Sequence, residues 1–173
     1  MRILVTYGST RGGTQGLAEM VAEDLRAEGF EADLLSPRQV RRLDGYDAVI
    51  VGGALYASRW HRASRRFVTR HAAEIRQRPA YFFSSGPLDD SASCGDIPPV
   101  KGVKALMGKT GVREHVTFGG RLAPDAKGFP ASAMAKKRAG DWRDARQVKQ
   151  WAQTIASQLR GEVSQGARAG HTP

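Results

Sequence analysis

Six consecutive residues near the amino terminus, Ser9-Thr10-Arg11-Gly12-Gly13-Thr14, have the composition of an anion cradle. They follow a compact apolar run, Ile3-Leu4-Val5-Thr6-Tyr7, which ends at Gly8. They precede a segment in which Leu17, Met20, Val21 and Leu25 recur every three or four positions. Glycines at a strand-to-helix turn let backbone N–H groups face inward. Hydroxyl side chains add donors, and the positive end of the helix dipole favours a negative guest. The plainer alternative is a glycine-rich turn with Thr14 as a helix cap. A nucleotide triphosphate is not the expected guest: Gly8 and Gly13 have the spacing of G-x-x-x-x-G-K-[ST], but Thr14 stands where that loop needs lysine. The dinucleotide pattern G-x-G-x-x-G is absent as well. Hydroxyls without a lysine suit a terminal monophosphate held by neutral donors.

Two further segments could complete a site. Gly53-Ala54-Leu55-Tyr56-Ala57-Ser58-Arg59-Trp60-His61 combines small residues, which permit close backbone approach, with Tyr56 and Trp60, whose faces can stack on a flat heterocycle or simply pack. Ser84-Ser85-Gly86-Pro87 follows another apolar run and offers free N–H groups to the polar edge of a ring. Beyond Trp60, Arg59, Arg62, Arg66 and Arg70 recur at spacings of three or four, which predicts one helical face, with Phe67, His71 and Ile75 on the other. Such a stripe can receive carboxylates or an anionic membrane surface, or it is a solvated face.

The elements that must position these residues alternate along the chain. Ile3–Tyr7, Ala32–Leu35, Asp47–Gly53, Ala80–Ser84 and Val116–Gly120 read as strands. Thr14–Glu28, His61–Gln77, Val100–Met107 and Trp142–Leu159 read as helices. The run through Asp47–Gly53 does not alternate, as suits a strand buried on both faces of a parallel sheet. Residues 87–99 read as a long turn-rich loop and 123–140 as irregular and basic. Residues 1–160 are expected to form one domain, and 161–173 a disordered tail without periodicity. Right-handed crossovers then give an α/β fold with helices on both faces of the sheet. All three candidate loops fall at the carboxyl ends of strands, where such sheets bind ligands.

With those residues in view, Ser9, Gly12 and Thr14 match the flavodoxin phosphate loop T/S-x-T-G-x-T, and Arg11 replaces its middle hydroxyl. The chain resembles the flavodoxin-like family over roughly residues 1–160. That resemblance implies a three-layer sandwich with a five-stranded parallel sheet in the order 2-1-3-4-5, and non-covalent binding of flavin mononucleotide (FMN). It implies that Ser9, Thr10, Arg11, Gly12, Gly13 and Thr14 hold the phosphate. Ala54, Leu55, Tyr56, Ala57, Ser58 and Trp60 would flank the ring on one side, and Ser84, Ser85, Gly86 and Pro87 on another.

Within this family the chain is similar to the menaquinone-dependent protoporphyrinogen dehydrogenases. Their loop, close to T-R-D-G-Q-T, aligns on Ser9–Thr14, and they have a segment like Val51–Ala63 and a helix like Phe67-Val68…His71-Ala72. They also carry an extra segment before the last helix, as residues 121–143 do here. The resemblance implies an FMN-dependent oxidoreductase passing electrons from an anionic substrate such as a porphyrinogen to a quinone, with flavin rather than a protein nucleophile carrying the chemistry. Arg59, Arg62, Arg66 and Arg70 would contact that substrate or a membrane. The alternatives are an electron-transfer flavodoxin without its own organic substrate, and a partner-binding domain that has lost FMN.

Composition bounds these readings. The chain has 173 residues, 40% of them apolar and 25% charged, with 20 Gly and 8 Pro, which is globular composition. Its net charge of +10 favours anionic partners or marks a basic solvated surface. Around a bound flavin, positive charge would stabilise the anionic reduced form and raise the potential, unlike the acidic low-potential carriers. The single cysteine, Cys94, excludes an internal disulfide and a thiolate metal site, and with no apolar run long enough to span a bilayer a cytoplasmic protein is expected, with at most peripheral contact at the membrane. His61, His71, His115 and His171 have no metal-ligand spacing, Asp89-Asp90 reads as a turn, and no aromatic-basic motif supports nucleic-acid binding. Lys136-Lys137-Arg138, with Phe129, Pro130 and Met134, is either a lipid contact or a solvated loop.

Overall fold

The computed structural model describes residues 1–125 and 139–169. The first strand, β1 (Arg2–Gly8), buries Ile3, Leu4 and Val5 completely. It leads into α1 (Gly13–Ala27), whose buried residues include Leu17, Val21 and Leu25 of the sequence stripe. Next come β2 (Glu31–Leu35), β3 (Ala48–Tyr56), β4 (Arg59–Trp60), α2 (Arg62–Arg70) and α3 (Ala72–Ile75). The chain continues through β5 (Ala80–Ser85), α4 (Ser91–Cys94), α5 (Lys101–Thr110) and β6 (Glu114–Phe118). Two short strands, β7 (Arg121–Leu122) and β8 (Gly140–Asp141), pair antiparallel before the C-terminal helix, Ala145–Ala169.

The five long strands pair in parallel in the order β2-β1-β3-β5-β6. This is the expected 2-1-3-4-5 order once the two-residue β4, antiparallel to β3, is set aside. Alternate residues of each strand enter opposite cores. Ile3, Val5, Ile50 and Phe83 pack with α1 and the C-terminal helix through Leu17, Val21, Val148 and Ile155. Leu4, Val49, Val51 and Phe82 pack with Phe67, Val68, Ile75 and Val103 on the other face. Burial on both faces is why the central strands read as unbroken apolar runs.

Five elements depart from the sequence reading. The strand expected to stop at Gly53 continues to Tyr56 and folds back into β4 through Ala57 (φ 47°) and Ser58 (φ 58°), so this expected loop is a hairpin. Two successive left-handed residues match the twist of a tight hairpin, but they are usually Asn or Gly. The helix expected over His61–Gln77 breaks at His71 (φ −102°, ψ 19°), whose Nδ1 pairs with Glu74 Oε1 at 2.7 Å. The fifth strand ends at Phe118 rather than Gly120 because the backbone turns to meet Trp142, whose N–H donates to the Gly120 carbonyl at 3.0 Å. The last helix starts at Ala145 and runs to Ala169, so residues 161–169, expected as disordered tail, are helical. Gly161 costs a helix about 1 kcal/mol relative to alanine, too little to end one of this length. A turn of helix, α4, also interrupts the expected 87–99 loop. Most of the basic 123–140 segment, including Phe129, Pro130, Met134 and Lys136–Arg138, lies outside the described residues.

Candidate functional site

At the carboxyl edge of the sheet, the ends of β1, β3, β5 and β6 surround an open cavity of about 260 Å³. Ser9, Arg11, Gly13, Thr14, Ala54, Leu55, Tyr56, Ala57, Ser85 and Gly86 of the expected site line it. The three segments singled out in the sequence therefore converge on one cavity.

The floor of the cradle is the start of α1. Gly12 (φ 76°) occupies the N-cap position in the left-handed conformation, which glycine adopts without strain, and supplies no capping side chain. No acidic residue sits in the first turn. The first N–H groups of the helix are thus left to a guest. Thr14 is 1% exposed, and its Oγ1 is buried with no hydrogen-bond partner among the described residues. A buried hydroxyl without a partner is costly, and here it borders a cavity that also meets the positive end of a helix. Gly12 N–H donates to Ser9 Oγ at 3.1 Å, which folds the loop over this helix end.

The hairpin forms the adjoining wall and is tied to the cradle. Thr10 N–H donates to Tyr56 Oη at 3.3 Å, and the Arg11 guanidinium lies 5.6 Å from the centre of the Tyr56 ring. His61, at the N-cap of α2, accepts the Ala63 N–H on Nδ1 at 3.2 Å, while its Nε2 lies 3.1 Å from Thr10 Oγ1. Because Nδ1 accepts, the neutral ring carries its proton on Nε2 and donates to Thr10. The hydroxyl proton of Thr10 is then available to a guest. Burial pushes the His61 pKa below its usual value and keeps the ring neutral.

Other expected site residues act from behind or elsewhere. Trp60 is 2% exposed, its ring centre 5.3 Å from that of Phe82, and its indole covers the backbone of Gly53. It is a core residue that backs the hairpin and offers no face for stacking. Ser84 is buried, with Oγ 2.8 Å from His115 Nε2, and burial pushes the His115 pKa down to about 4. Pro87 contributes its carbonyl, which accepts Gly120 N–H at 2.7 Å. Ser58 and Arg59 turn to a different concavity, together with Arg62, Arg66 and Arg70. The arginine stripe does not line the cradle cavity, and Arg59 belongs to β4 rather than to the helix.

The sequence reading missed Leu88, Gly120, Arg121 and Leu122, which close the cavity from the far side. The pair Gly119-Gly120 at a strand's carboxyl end was the available signal. A Cβ on Gly120 would lie 3.2 Å from the Gly86 carbonyl oxygen, and one on Gly13 would lie 3.3 Å from that of Arg121. Backbones thus meet closely where the strand ends converge. Arg143 donates to both carboxylate oxygens of Asp141 (2.8 and 2.5 Å) and holds its pKa below the usual carboxylate range. Among the described residues no group of three or more His, Cys, Asp or Glu could hold a metal ion, and no helix is long and apolar enough to cross a membrane.

A doubly wound parallel sheet with an uncapped helix end and hydroxyl-rich turn at its switch point defines the flavodoxin class of phosphate-binding α/β proteins. The chain belongs to the Flavodoxin domain family, whose profile matches residues 4–129. It is 27% identical over 86 residues to protoporphyrinogen IX dehydrogenase [quinone] of Escherichia coli strain K12, covering 49% of this chain and 48% of that protein. The match thus spans about half the length of that relative. It is 24% identical over 124 residues to the flavodoxin of Maridesulfovibrio salexigens, covering 68% of this chain and 85% of that protein. Among solved structures, a cysteine mutant of the flavodoxin from Pseudomonas aeruginosa superposes with a TM-score of 0.60 at 18% identity, covering 92% of this chain and 99% of that one. The cofactor of this family is FMN, and the residues present fit its phosphate: the partnerless Thr14 hydroxyl and the open N-terminus of α1 are donors without an acceptor.

Proposed function

We propose that this protein is an FMN-dependent oxidoreductase that passes electrons from a reduced, anionic substrate such as a porphyrinogen to a quinone. The observation that carries the FMN reading is the buried, partnerless Thr14 Oγ1 beside the uncapped start of α1. FMN supplies the electron and hydride chemistry when bound. Ser9, Thr10 and Thr14 donate to its phosphate, and His61 holds Thr10 in register. Tyr56 and Leu55 on the hairpin and Leu88 and Leu122 opposite supply the apolar walls for the ring. Arg11 and Arg121 line the same cavity; the Asp141 carboxylate, 3.9 Å from Arg121, stands outside the lining, so the cavity wall itself carries positive charge that favours an anionic guest. That charge supports a raised potential and delivery of electrons to a quinone. The 27% identity to the quinone-linked dehydrogenase supports the substrate class.

The test has two stages. Purified protein mixed with FMN should quench flavin fluorescence with one-to-one stoichiometry, and riboflavin should bind far more weakly. Loaded protein should then oxidise protoporphyrinogen with a menaquinone analogue as acceptor. FMN binding without turnover would leave a second reading, an electron-transfer flavodoxin without its own organic substrate, which the 85% coverage of the Maridesulfovibrio flavodoxin favours. Failure to bind FMN would remove both.

A further inference from the structure

Arg59 on β4, Arg62, Arg65, Arg66 and Arg70 on α2, and Lys101 and Lys109 on α5 line one groove of about 1,020 Å³. No carboxylate lines it. Among the described residues none of the seven cations takes part in an ion pair. The chain holds no neutralising side chain in reserve, because residues 126–138 and 170–173 contain neither Asp nor Glu. Seven like charges around a concavity repel one another, so the groove is most stable with an anion from outside these residues.

We propose that this groove docks an acidic helix of a partner protein, one that presents carboxylates four residues apart. Arg62, Arg66 and Arg70 follow one another at four-residue intervals along α2, a rise of about 6 Å per step. Glutamates at the same interval on a second helix repeat at the same distance, so the two rows stay in register over the groove. Five of the seven cations are arginines, whose planar fork matches a carboxylate with two parallel hydrogen bonds. Ala105 and Leu106 of α5 also line the groove and give such a helix apolar surface to pack against.

A bilayer fits less well. The exposed large apolar residues among the described ones, Met1 and Tyr56, lie outside the groove, so it offers none of them for insertion into a bilayer. A nucleic-acid single strand would need aromatic faces to stack on, and the one aromatic in the lining, Trp60, is buried. The proposal does not depend on FMN, and its test runs on the protein with and without added FMN.

The probe is a fluorescein-labelled helical peptide with glutamates at positions i, i+4 and i+8 and leucines beside them, followed by anisotropy at low and moderate salt. The wild-type chain should bind it, and less tightly as salt rises. Arg62→Gln with Arg66→Gln should weaken binding about tenfold or more and flatten the salt dependence. Arg38→Gln with Arg41→Gln removes the same charge outside the groove and should change binding less than twofold. All four side chains are exposed, so both double variants should melt with the wild type. Absence of peptide binding overturns the proposal, as does equal weakening in both variants, which would reduce it to net charge. Equal binding of a peptide with its glutamates bunched at one end overturns the helical register. Capture by vesicles of 30% phosphatidylserine in phosphatidylcholine, or by a 20-nucleotide single strand, where the peptide does not bind and lost only in Arg62→Gln/Arg66→Gln, reassigns the groove to lipid or nucleic acid.

Discussion

His61 Nε2 lies 3.1 Å from Thr10 Oγ1 across 51 residues of sequence, so the ring that caps α2 also fixes the anion cradle. Replacing His61 with Ala removes both contacts and should cost about 1 kcal/mol of stability, as for the loss of a helix cap. His61→Asn can keep an acceptor for the Ala63 N–H but is too short to reach Thr10. Thermal melts should show partial recovery of stability in His61→Asn, while fluorescence titration shows FMN affinity still reduced. Full recovery of affinity would separate the ring from the cradle.

The same ring sets a pH dependence. Burial lowers the His61 pKa from 6.5, so the folded chain binds fewer protons there than the unfolded chain. Stability from this site is therefore complete above about pH 6.5 and falls as the pH drops from there toward the lowered folded value. Protonation also removes the Nδ1 acceptor. Denaturant melts from pH 7.5 to 5 should show this loss in the wild type, and a smaller slope in His61→Asn.

Thr14→Val keeps the shape of the side chain and removes a hydroxyl that has no partner in the protein. Without ligand the variant should be as stable as the wild type or slightly more so, because a buried unsatisfied group is gone. FMN binding should weaken by about 1.5–3 kcal/mol, the range for hydrogen bonds to charged groups, with riboflavin nearly unchanged. Equal losses for the two ligands would place the phosphate elsewhere.

Gly53→Ala places a methyl group 2.5 Å from Trp60 Nε1, in the core that backs the hairpin. Overpacking of this kind costs about 1–3 kcal/mol. Gly108→Ala on α5 meets nothing within 4 Å and should stabilise by about 0.5–1 kcal/mol. Urea midpoints of the two variants should move in opposite directions, with only Gly53→Ala lowering FMN affinity.

Ser58 holds φ at 58° without being glycine. Ser58→Gly relieves about 1 kcal/mol of left-handed strain, within the range for such residues. A chain of this length should gain roughly 2–4 °C in Tm for it. An unchanged Tm would show that the turn carries no such strain.

What was legible in the sequence was local. The cradle Ser9–Thr14 was readable because strand, glycine turn and helix are contiguous; alternation and handedness gave a parallel sheet covered on both faces, and its strand order came from the resemblance to flavodoxins. The hairpin was not, because Ala57-Ser58 lacks the Asn-Gly chemistry that advertises such a turn. Trp60 looked like a stacking platform because residue type says nothing about which face of a strand is buried. Arg59 shared a helical spacing with Arg62 by coincidence, since a strand and a helix join at His61. Arg121 and Leu122 reach the cavity only through the sheet's topology, which no short window contains.

Gly13 packs against the backbone of Arg121, more than a hundred residues later in the chain. The pocket therefore lacks its far wall in any early fragment. During synthesis the cradle leaves the ribosome long before its opposite wall, and the guest finds a complete site only after β6 has joined the sheet. Full cofactor binding therefore follows the closing of the sheet. It traps the finished fold, adding about 2.7 kcal/mol of apparent stability at a hundredfold excess over Kd. A shortage of flavin would thus leave newly made chains correctly folded but easier to unfold and degrade.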